Sequence, residues 1–294
     1  MIILDYSQTI ISNLMAELGG RKDIELEVGL LRHMVLNTIR SYKVKFSRDY
    51  GELVIACDNK KYWRKDHFPY YKAHRKKIRE ESGYDWGVIF DAINLLKSEL
   101  KEVFPYKVLE VPGAEADDII ATLCKWSQLN DLKEGSLIVE PKPVLIISGD
   151  HDFFQLQKYP NVHQFSPVKK KFIKEDRSPH AVLIEHIIRG DKGDGIPNVL
   201  SADDVIINGE RQKPISSKKL SEWVQDPSSM PTDVIFQRNY DRNRTLIDLD
   251  LIPKNIEDNI LNTFNTYKNN DKSLVLDFFI KNKMKHMIEF IEEF

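Results

Sequence analysis

Acidic residues recur in this sequence where a short apolar run ends or a helix is predicted to begin. Three apolar runs each end in an aspartate, and VPGAEADDIIATL at Val111–Leu123 places three acids at the start of a predicted helix. The nine acids of this pattern are Asp5, Asp58, Glu115, Asp117, Asp118, Asp150, Asp152, Asp191 and Asp194. Ligands of an open α/β sheet bind at the carboxyl ends of its parallel strands. We therefore expect these acids to form one pool at a single sheet edge.

Nine carboxylates at close range repel one another unless cations compensate their charge. Oxygen ligands without histidine or cysteine favour Mg²⁺, with Mn²⁺ as the expected substitute. Two such ions roughly 3.5–4 Å apart can hold the attacking and the leaving oxygen of a phosphoryl transfer. His33, His67 and His74 show no metal-ligand spacing and are interpreted as structural or surface residues. The acids therefore predict a two-metal site for phosphoryl chemistry.

The three acids at the head of the predicted helix have a simpler explanation when that segment is taken alone. A carboxylate near a helix N-terminus interacts favourably with the macrodipole, by roughly 0.3–1 kcal/mol. Capping explains one or two acids there, but Glu115, Asp117 and Asp118 also repel one another. The recurrence of acids at other strand ends favours the metal site.

A strongly basic segment follows the second apolar run. Residues 60–79 contain nine Lys or Arg and a single acid, Asp66. YYKAHRKKIR within this segment is predicted to be a helix with four cations on one face, Lys72, Arg75, Lys76 and Arg79. The aromatic residues that could stack on unpaired bases are Tyr62, Trp63, Phe68, Tyr70 and Tyr71. The alternative is a solvated basic face with the aromatic rings in the core.

The composition is typical of a globular protein, with 41% hydrophobic and 30% charged residues. The net charge of −2 hides a segregation of charge, because KKKFIK at Lys169–Lys174 forms a second basic cluster. The apolar runs are too short to span a membrane, and the start MIILDYSQ does not resemble a secretory signal. Cys57 and Cys124 lie in apolar segments and are interpreted as buried thiols, so we expect a cytoplasmic protein. No Walker A sequence is present, so ATP hydrolysis through a P-loop is not indicated.

Strand-like runs alternate with helical patterns through about residue 178, and helices are predicted at Val28–Phe46 and at Asp85–Val103, with Asp85 as a cap. This alternation predicts an α/β fold with a mostly parallel central sheet flanked by helices. From about Pro179 the pattern changes to successive helices. We therefore expect an α/β domain at 1–178 and a helical C-terminal domain at 179–294. The segment Asn130–Pro143 is long for a helix–strand connection.

The motifs together resemble the 5′-nuclease (flap endonuclease) superfamily, and most closely its ribonuclease H branch from T-even phages. They occur in the order ILDYSQ, ACDNKKYWRKD, YYKAHRKKIREES, EADD, SGDHDFFQL and RGDKGDGIPNV and span nearly the whole chain. The resemblance implies a nuclease domain at 1–178 with an arch region at about 59–84. It also implies a helix–three-turn–helix element, opened by GDKGDGIPNV, that binds duplex DNA. The sequence departs from the family pattern after this motif, where G-x-G-x-K-T usually follows at once. Here LSADDVIINGERQKP intervenes, and ISSKKL at Ile215–Leu220 takes the place of the remainder.

The resemblance also implies roles for individual residues. A first metal ion is expected near Asp5, Asp58, Glu115 and Asp117, with Asp118 close by. A second is expected near Asp150, Asp152 and Asp194, with Asp191 supporting. Lys72 and Arg79 match a basic pair that contacts the scissile phosphate. The residues expected to contact nucleic acid are Tyr71, Arg75, Lys76, Lys77, Lys218 and Lys219.

The predicted activity is that of a Mg²⁺-dependent 5′→3′ exonuclease and 5′-flap endonuclease acting on RNA/DNA and DNA/DNA duplexes. The implied role is the removal of RNA primers during phage DNA replication. The expected partners are branched or nicked DNA and RNA/DNA duplex, with a single-stranded-DNA-binding protein or a sliding clamp as candidate protein partners. We expect a monomer that binds no membrane and, if phage-encoded, acts in the host cell cytoplasm.

Two alternatives remain open at this point. A PIN-type ribonuclease shares the acidic sheet edge, but such domains are usually shorter and lack the arch and the duplex-binding element. An inert, structure-specific DNA-binding protein would be expected to lose carboxylates, and all nine are present.

Overall fold

The computed structural model describes residues 1–20, 26–129 and 142–294. Its strands form one sheet in the order β3-β2-β1-β4-β5-β6, in which the first five strands are parallel and β6 is antiparallel to β5. The strands are β1 Ile2–Asp5, β2 Leu53–Cys57, β3 Lys107–Glu110, β4 Val144–Ile147, β5 Val162–Ser166 and β6 Lys171–Phe172. The predicted α/β fold with a mostly parallel sheet is confirmed.

Twelve helices are described around the sheet and beyond it. They are α1 Tyr6–Leu18, α2 Val28–Tyr50, α3 Trp63–His67, α4 Arg75–Ser82, α5 Trp86–Val103, α6 Ala116–Leu129, α7 Pro179–Arg189, α8 Ser217–Gln225, α9 Val234–Ile247, α10 Lys254–Thr266, α11 Ser273–Lys281 and α12 Lys285–Ile288. Short 3₁₀ helices lie at Asp152–Lys158, Pro227–Ser229, Leu249–Leu251 and Ile291–Glu293. The predicted cap is present, since the Asp85 side chain accepts hydrogen bonds from the backbone N–H groups of Gly87 and Val88. No helix in the described ranges is both long and apolar enough to cross a membrane.

The central strands are apolar because helices cover both faces of the sheet, as is usual for parallel strands. Every residue of β1, β2 and β4 is buried. Ile2 and Leu4 point into one apolar cluster with α1, α2 and α5, whereas Ile3 points into a second cluster with α6. Cys57 and Cys124 are buried free thiols, one in each cluster, as predicted.

The chain reverses its direction across the sheet between β1 and β4. β2 and β3 lie on one side of β1, and β4 to β6 lie on the other. Such a switch point leaves a crevice at the carboxyl ends of the two strands, where ligands of open α/β sheets bind. Asp5 ends β1 at this point, and Asp150 follows β4 by three residues.

The helices beyond residue 178 pack in three places. α7, α8 and α9 form their own apolar cluster around Ile188, Trp223 and Phe236. α10 contributes to the α6 side of the sheet, whereas α11, α12 and Phe294 contribute to the opposite side. The division of the chain at residue 178 remains a prediction. The long connection predicted at Asn130–Pro143 lies, through residue 141, outside the described residues.

Candidate active site

Asp5 and Asp58 lie at the carboxyl ends of adjacent strands and are held by hydrogen bonds. Asp5 accepts bonds from the backbone N–H of Gln8 at 3.0 Å and from Ser148 Oγ at 3.1 Å. Burial, reinforced by the charges of Asp58 and Asp150, raises the pKa of Asp5 to about 7. Asp58 accepts bonds from Ser7 Oγ at 2.6 Å and from the N–H of Ala116 at 2.9 Å, which joins the end of β2 to the start of α6.

The acids at the head of α6 have different environments. Asp118 is fully buried, and its two oxygens accept bonds from Arg64, from Trp63 Nε1 and from the backbone N–H of Glu115. In the last of these bonds the Asp118 side chain reaches back to the N–H of the residue before the helix, as in a capping box, so the capping explanation applies to Asp118. Both oxygens of Asp118 are engaged by donors of the chain, so this residue positions the start of the helix. Its predicted place beside the metal remains a prediction.

Asp117 lies on the other side of the same helix start. It is half-buried, and its carboxylate makes no hydrogen bond or ion pair with the described residues. Burial and the nearby charge of Asp150 raise the pKa of Asp117 well above its usual range. Because no donor among the described residues binds it, the Asp117 carboxylate is better suited to bind a cation than to cap the helix.

Glu115 is the centre of a buried charge network. Its Oε1 lies 2.6 Å from Lys72 Nζ, and its Oε2 accepts bonds from Arg64 at 3.0 Å and from the Tyr71 hydroxyl at 3.1 Å. Lys72 Nζ also lies 3.5 Å from Asp194 Oδ2. Burial, which lowers the pKa of Lys72, is outweighed by Asp194 and Glu115, so the net shift is upward. Lys72 therefore stays charged between two of the predicted ligand groups.

A second group of acids surrounds the start of the 3₁₀ helix after β4. Asp150 Oδ1 accepts the backbone N–H of Asp152 at 3.0 Å. His186, in the last turn of α7, lies between Asp152 Oδ1 (3.4 Å from its Nδ1) and Asp191 Oδ2 (3.1 Å from its Nε2). Burial and neighbouring acids raise the pKa of Asp152 to about 7, although His186 opposes this. One ligand atom from each of Asp152, His186 and Asp191 lies within 4.8 Å of the others.

His186 was not among the residues predicted from the sequence, which were oxygen ligands alone. An imidazole lies between two of these acids, and whether it binds metal is not decided by the carboxylate pattern. The sequence offered one signal, because His186 lies one helical turn before the acidic, glycine-rich loop GDKGDG at Gly190–Gly195. The acids outweigh the effect of burial and raise the pKa of His186, whereas contact with His186 lowers the pKa of Asp191 despite burial.

The glycine-rich loop at Gly190–Gly195 contacts the basic segment, residues 60–79, through Asp194. Asp194 Oδ2 accepts a bond from the Tyr71 hydroxyl at 2.8 Å, and its Oδ1 lies 2.5 Å from Arg75 Nη2. Gly195 has φ +75°, and a Cβ there would lie 2.9 Å from His74 Nδ1 and 3.0 Å from Tyr70 O. Only glycine allows this close approach without rearrangement.

The prediction of one basic helix face from Lys72 to Arg79 is wrong. Lys72 has φ +56° and precedes α4, which begins at Arg75. Its backbone N–H donates to the carbonyl of Asp194 at 2.7 Å, a tertiary contact that holds the left-handed conformation. The side chain of Lys72 therefore points into the acidic pool, while Arg75, Lys76 and Arg79 lie on α4.

The predicted base-stacking surface is also only partly present. Phe68 and Tyr71 are buried, and Trp63 donates to Asp118, so these rings serve the core, as the alternative predicted. Tyr70 is 36% exposed and keeps an accessible ring. Tyr71 positions Glu115 and Asp194 through its hydroxyl rather than offering a face for stacking.

The remaining cations of the predicted site are more exposed. The Arg79 guanidinium lies 5.6 Å from the centre of the Phe90 ring, which lines a cavity of about 590 Å³ beside Asp58. Lys76 and Lys77 are exposed and lie 3.9 and 4.0 Å from Glu80 and Glu81. Lys218 and Lys219 are exposed in the first turn of α8. The roles predicted for these residues remain predictions.

Two family models match the chain. The model of the 5′–3′ exonuclease N-terminal resolvase-like domain matches residues 21–182, and the model of the T4 RNase H C-terminal region matches residues 177–294. Ribonuclease H of Enterobacteria phage T4 is 35% identical in an alignment of 303 positions that covers 99% of this chain and 95% of that protein. DNA polymerase I of Rhizobium leguminosarum is 30% identical in an alignment of 153 positions that covers 50% of this chain and 13% of that protein.

Solved structures of bacteriophage T5 proteins share the fold. A T5 protein co-crystallised with metal ions matches with a TM-score of 0.64 and 18% identity, over 91% of this chain and 99% of that one. A variant of the T5 flap endonuclease in a pseudo-enzyme–product complex with DNA and metal ions matches with a TM-score of 0.59 and 19% identity, over 90% and 99% of the two chains.

Proposed function

Since the chain belongs to the 5′–3′ exonuclease family, we propose that it is a metal-dependent 5′→3′ exonuclease and 5′-flap endonuclease. One observation carries the proposal: two groups of acids meet at the sheet switch point, with the charged Lys72 between them. The proposed substrates are RNA/DNA and DNA/DNA duplexes with a free 5′ end. The name of the phage T4 relative supports the RNA-containing substrate, and the T5 flap endonuclease complex supports DNA. The proposed role is removal of RNA primers in phage DNA replication.

Divalent cations fit the residues present. Burial, together with the charges of neighbouring acids, raises the pKa values of Asp5, Asp117 and Asp152, and a divalent cation beside them would stabilise their charged forms. We propose two Mg²⁺ ions, replaceable by Mn²⁺, held by two groups of acids. The first is Asp5, Asp58, Glu115 and Asp117, with Asp118 close by, and the second is Asp150, Asp152 and Asp194, with Asp191 supporting. When bound, the ions would activate the attacking water and offset charge on the leaving oxygen.

The chain's own cations act on the substrate phosphate in this proposal. Lys72 is oriented by Glu115 and Asp194, so its ammonium is fixed beside the reacting group before substrate arrives. A preorganised cation of this kind stabilises charge that develops in the transition state. Arg79 packs near Phe90, which lines the cavity beside Asp58, and is proposed to contact the same phosphate.

The remaining basic residues are proposed to bind the nucleic acid. Arg75, Lys76 and Lys77 follow the surface of α4, and Lys218 and Lys219 occupy the start of α8. The segment α7–turns–α8 is the proposed duplex-binding element of a helical domain at 179–294, attached to the nuclease domain at 1–178. Each exposed lysine that contacts a phosphate adds to affinity and to its salt dependence.

Cleavage of two labelled substrates tests the proposal. A 5′-flap duplex and an RNA-primed DNA duplex would be incubated with Mg²⁺ or with EDTA. We expect both to be cut in Mg²⁺ with 5′-phosphate products, and neither to be cut in EDTA. Asp58→Asn and Asp150→Asn should abolish cleavage, whereas Asp66→Asn, at an exposed acid outside the pool, should leave it unchanged. Binding without cleavage would support the inert DNA-binding alternative, and preference for unpaired RNA would support the PIN-type alternative.

A further inference from the structure

His186 has the geometry of a metal ligand held by a second carboxylate. Its two ring nitrogens face different acids, Nδ1 toward Asp152 at 3.4 Å and Nε2 toward Asp191 at 3.1 Å. The Nδ1 distance is long for a hydrogen bond, whereas the Nε2 distance is within hydrogen-bond range. An Nε2–H that donates to Asp191 leaves the lone pair of Nδ1 directed to the side of Asp152. Metal-bound histidines usually donate their other ring N–H to a carboxylate or carbonyl in this way.

We infer that His186 binds one of the divalent ions through Nδ1, together with Asp152, and that Asp191 orients the imidazole. The inference rests on the proposed function, since it adds a nitrogen ligand to the second acid group of that site. The three residues come from separate elements: a 3₁₀ helix, the last turn of α7 and the loop that follows it. The two atoms inferred to bind the ion, His186 Nδ1 and Asp152 Oδ1, already lie 3.4 Å apart, so little movement is needed to bring both to one ion.

A nitrogen ligand changes which ions the site prefers. Imidazole suits Co²⁺, Ni²⁺ and Zn²⁺ better than Mg²⁺, which prefers oxygen. The second ion site should therefore bind Co²⁺ more tightly than a site built from carboxylates alone. Mg²⁺ should gain less from the imidazole, so His186 would set metal preference as well as affinity.

The competing explanation is that His186 is only a counter-ion. In that case a protonated imidazole would offset the charges of Asp152 and Asp191 when no metal is present, and an incoming ion would displace it. The two explanations predict opposite effects of removing the ring. Loss of a ligand weakens metal binding, whereas loss of a competing cation leaves it unchanged or strengthens it.

Co²⁺ binding to the whole protein separates these explanations. Calorimetric titration with Co²⁺ would compare wild type with His186→Ala and His186→Gln. His180→Ala is the matched control, because His180 is an exposed histidine on the same helix. We expect His186→Ala to weaken one Co²⁺ site by about tenfold or more, to weaken Mg²⁺ binding by a smaller factor, and His180→Ala to change neither. Thermal unfolding in EDTA would confirm that each variant is folded.

Proton NMR of the Co²⁺ protein gives a second readout. A Co²⁺-bound imidazole places its N–H resonance far outside the usual range, and the bond to Asp191 should slow exchange of that proton with water. We expect this resonance in wild type and in His180→Ala and its absence in His186→Ala. Unchanged or tighter Co²⁺ binding in His186→Ala, or no shifted resonance in wild type, would overturn the inference. Neither result would affect the proposed function, which depends on Mg²⁺-dependent cleavage by the wild-type protein.

Discussion

Lys72 has surroundings unlike those of the exposed lysines that follow it on α4. It is 14% exposed at the side chain and paired with Glu115 and Asp194, whereas Lys76 and Lys77 are more than 70% exposed. We expect Lys72→Ala to lower the single-turnover cleavage rate at saturation by ~2 kcal/mol or more, because a preorganised positive charge is lost. The affinity for the same 5′-flap substrate, measured in Ca²⁺, should change little.

The matched control for that prediction is the double variant Lys76→Ala/Lys77→Ala. These exposed lysines should act on binding, so their loss should weaken affinity and reduce the salt slope by about one unit per contact. The saturated cleavage rate should remain close to that of wild type. A wild-type rate for Lys72→Ala at saturation would remove the catalytic role proposed for this residue.

The raised pKa of Asp5 predicts a pH dependence of stability in the metal-free protein. Asp5 ionises near pH 3.8 when unfolded and near pH 7 when folded, mainly because it is buried. The unfolded state therefore loses this proton first as pH rises, and the stability that the protonated form contributes is lost between about pH 4 and about pH 7. In EDTA, Asp5→Asn should be more stable than wild type at pH 8 by roughly 2–4 kcal/mol, and the difference should disappear near pH 4.

Urea unfolding across this pH range checks the prediction. The asparagine keeps the cap of α1, since it can still accept the bond from the Gln8 N–H. Asp66→Asn, at an exposed acid, should shift stability much less at every pH. An Asp5→Asn variant that is no more stable than wild type at pH 8 would show that burial does not penalise the Asp5 charge as inferred.

Arg64 compensates the buried acids at the head of α6. It is 2% exposed and donates to Glu115, to Asp118 and to the carbonyl of Leu246. Arg64→Met would leave two buried carboxylates without their cation, so we expect a loss of ~3–5 kcal/mol in the free energy of unfolding. The control is Arg177→Met, because the ion pairs of Arg177 are at the surface and should contribute less than about 1 kcal/mol. Equal losses for the two variants in urea unfolding would contradict this account.

At the scale of elements, the contact between the glycine-rich loop and the turn before α4 decides where Lys72 and Asp194 meet. Gly195 and Gly209 both have positive φ, at +75° and +72°, but only Gly195 has close neighbours at the position of an added Cβ. Alanine should cost about 1–2 kcal/mol of strain at either position. At Gly195 the contact with His74 and Tyr70 should add roughly 1–3 kcal/mol.

The effect on catalysis should distinguish these two glycines more sharply than the effect on stability. Gly195→Ala should displace Asp194 from Lys72 and lower the single-turnover rate, measured at a temperature where the variant is fully folded. Gly209→Ala should cleave at the wild-type rate. If Gly195→Ala cleaved normally, the loop contact would not be needed to place Lys72 for its proposed role.

At the scale of the whole molecule, residues near the end of the sequence complete the core beneath the sheet. Phe294 is fully buried, with its ring centre 5.7 Å from that of Phe104 and 5.2 Å from that of Phe279. We expect Phe294→Ala to lower the free energy of unfolding by ~3–5 kcal/mol. Phe290→Ala, at a ring that is 38% exposed, should lower it by less.

The part of the structure that Phe294→Ala destabilises is as informative as the size of the change in the free energy of unfolding. Because Phe294 shares an apolar cluster with β1 and α5, Phe294→Ala should destabilise residues 1–178 together with the C-terminal helices. Hydrogen exchange of the amides in α5 would report this effect. Unchanged protection in α5 would show that the nuclease region is stable without the C-terminal packing.

The sequence by itself determined strands β1 to β4, helices α2, α5 and α6, and the edge of the sheet where the acids meet, whereas α1, β5 and β6 were not predicted. These features follow from local signals: apolar runs of strand length, helical periodicity, the Asp85 cap and acids that follow strands. Most of the predicted acids do line the pool, because each strand fixes the position of the residue that ends it. Such signals depend on residues that are close in the sequence, so they can be recognised without knowledge of the tertiary structure.

Only the tertiary structure decided which partners each charged side chain has. Tyr71 and Asp194 are 123 residues apart in the sequence, and Arg64 meets Asp118 over 54 residues, so no local pattern pairs them. The left-handed conformation of Lys72 overrides the helical spacing of the basic segment because its N–H bonds to the carbonyl of Asp194. His186 joins the acids because α7 packs beside the 3₁₀ helix that begins at Asp152. Each of these contacts depends on elements brought together by folding, which a pattern of residue types does not specify.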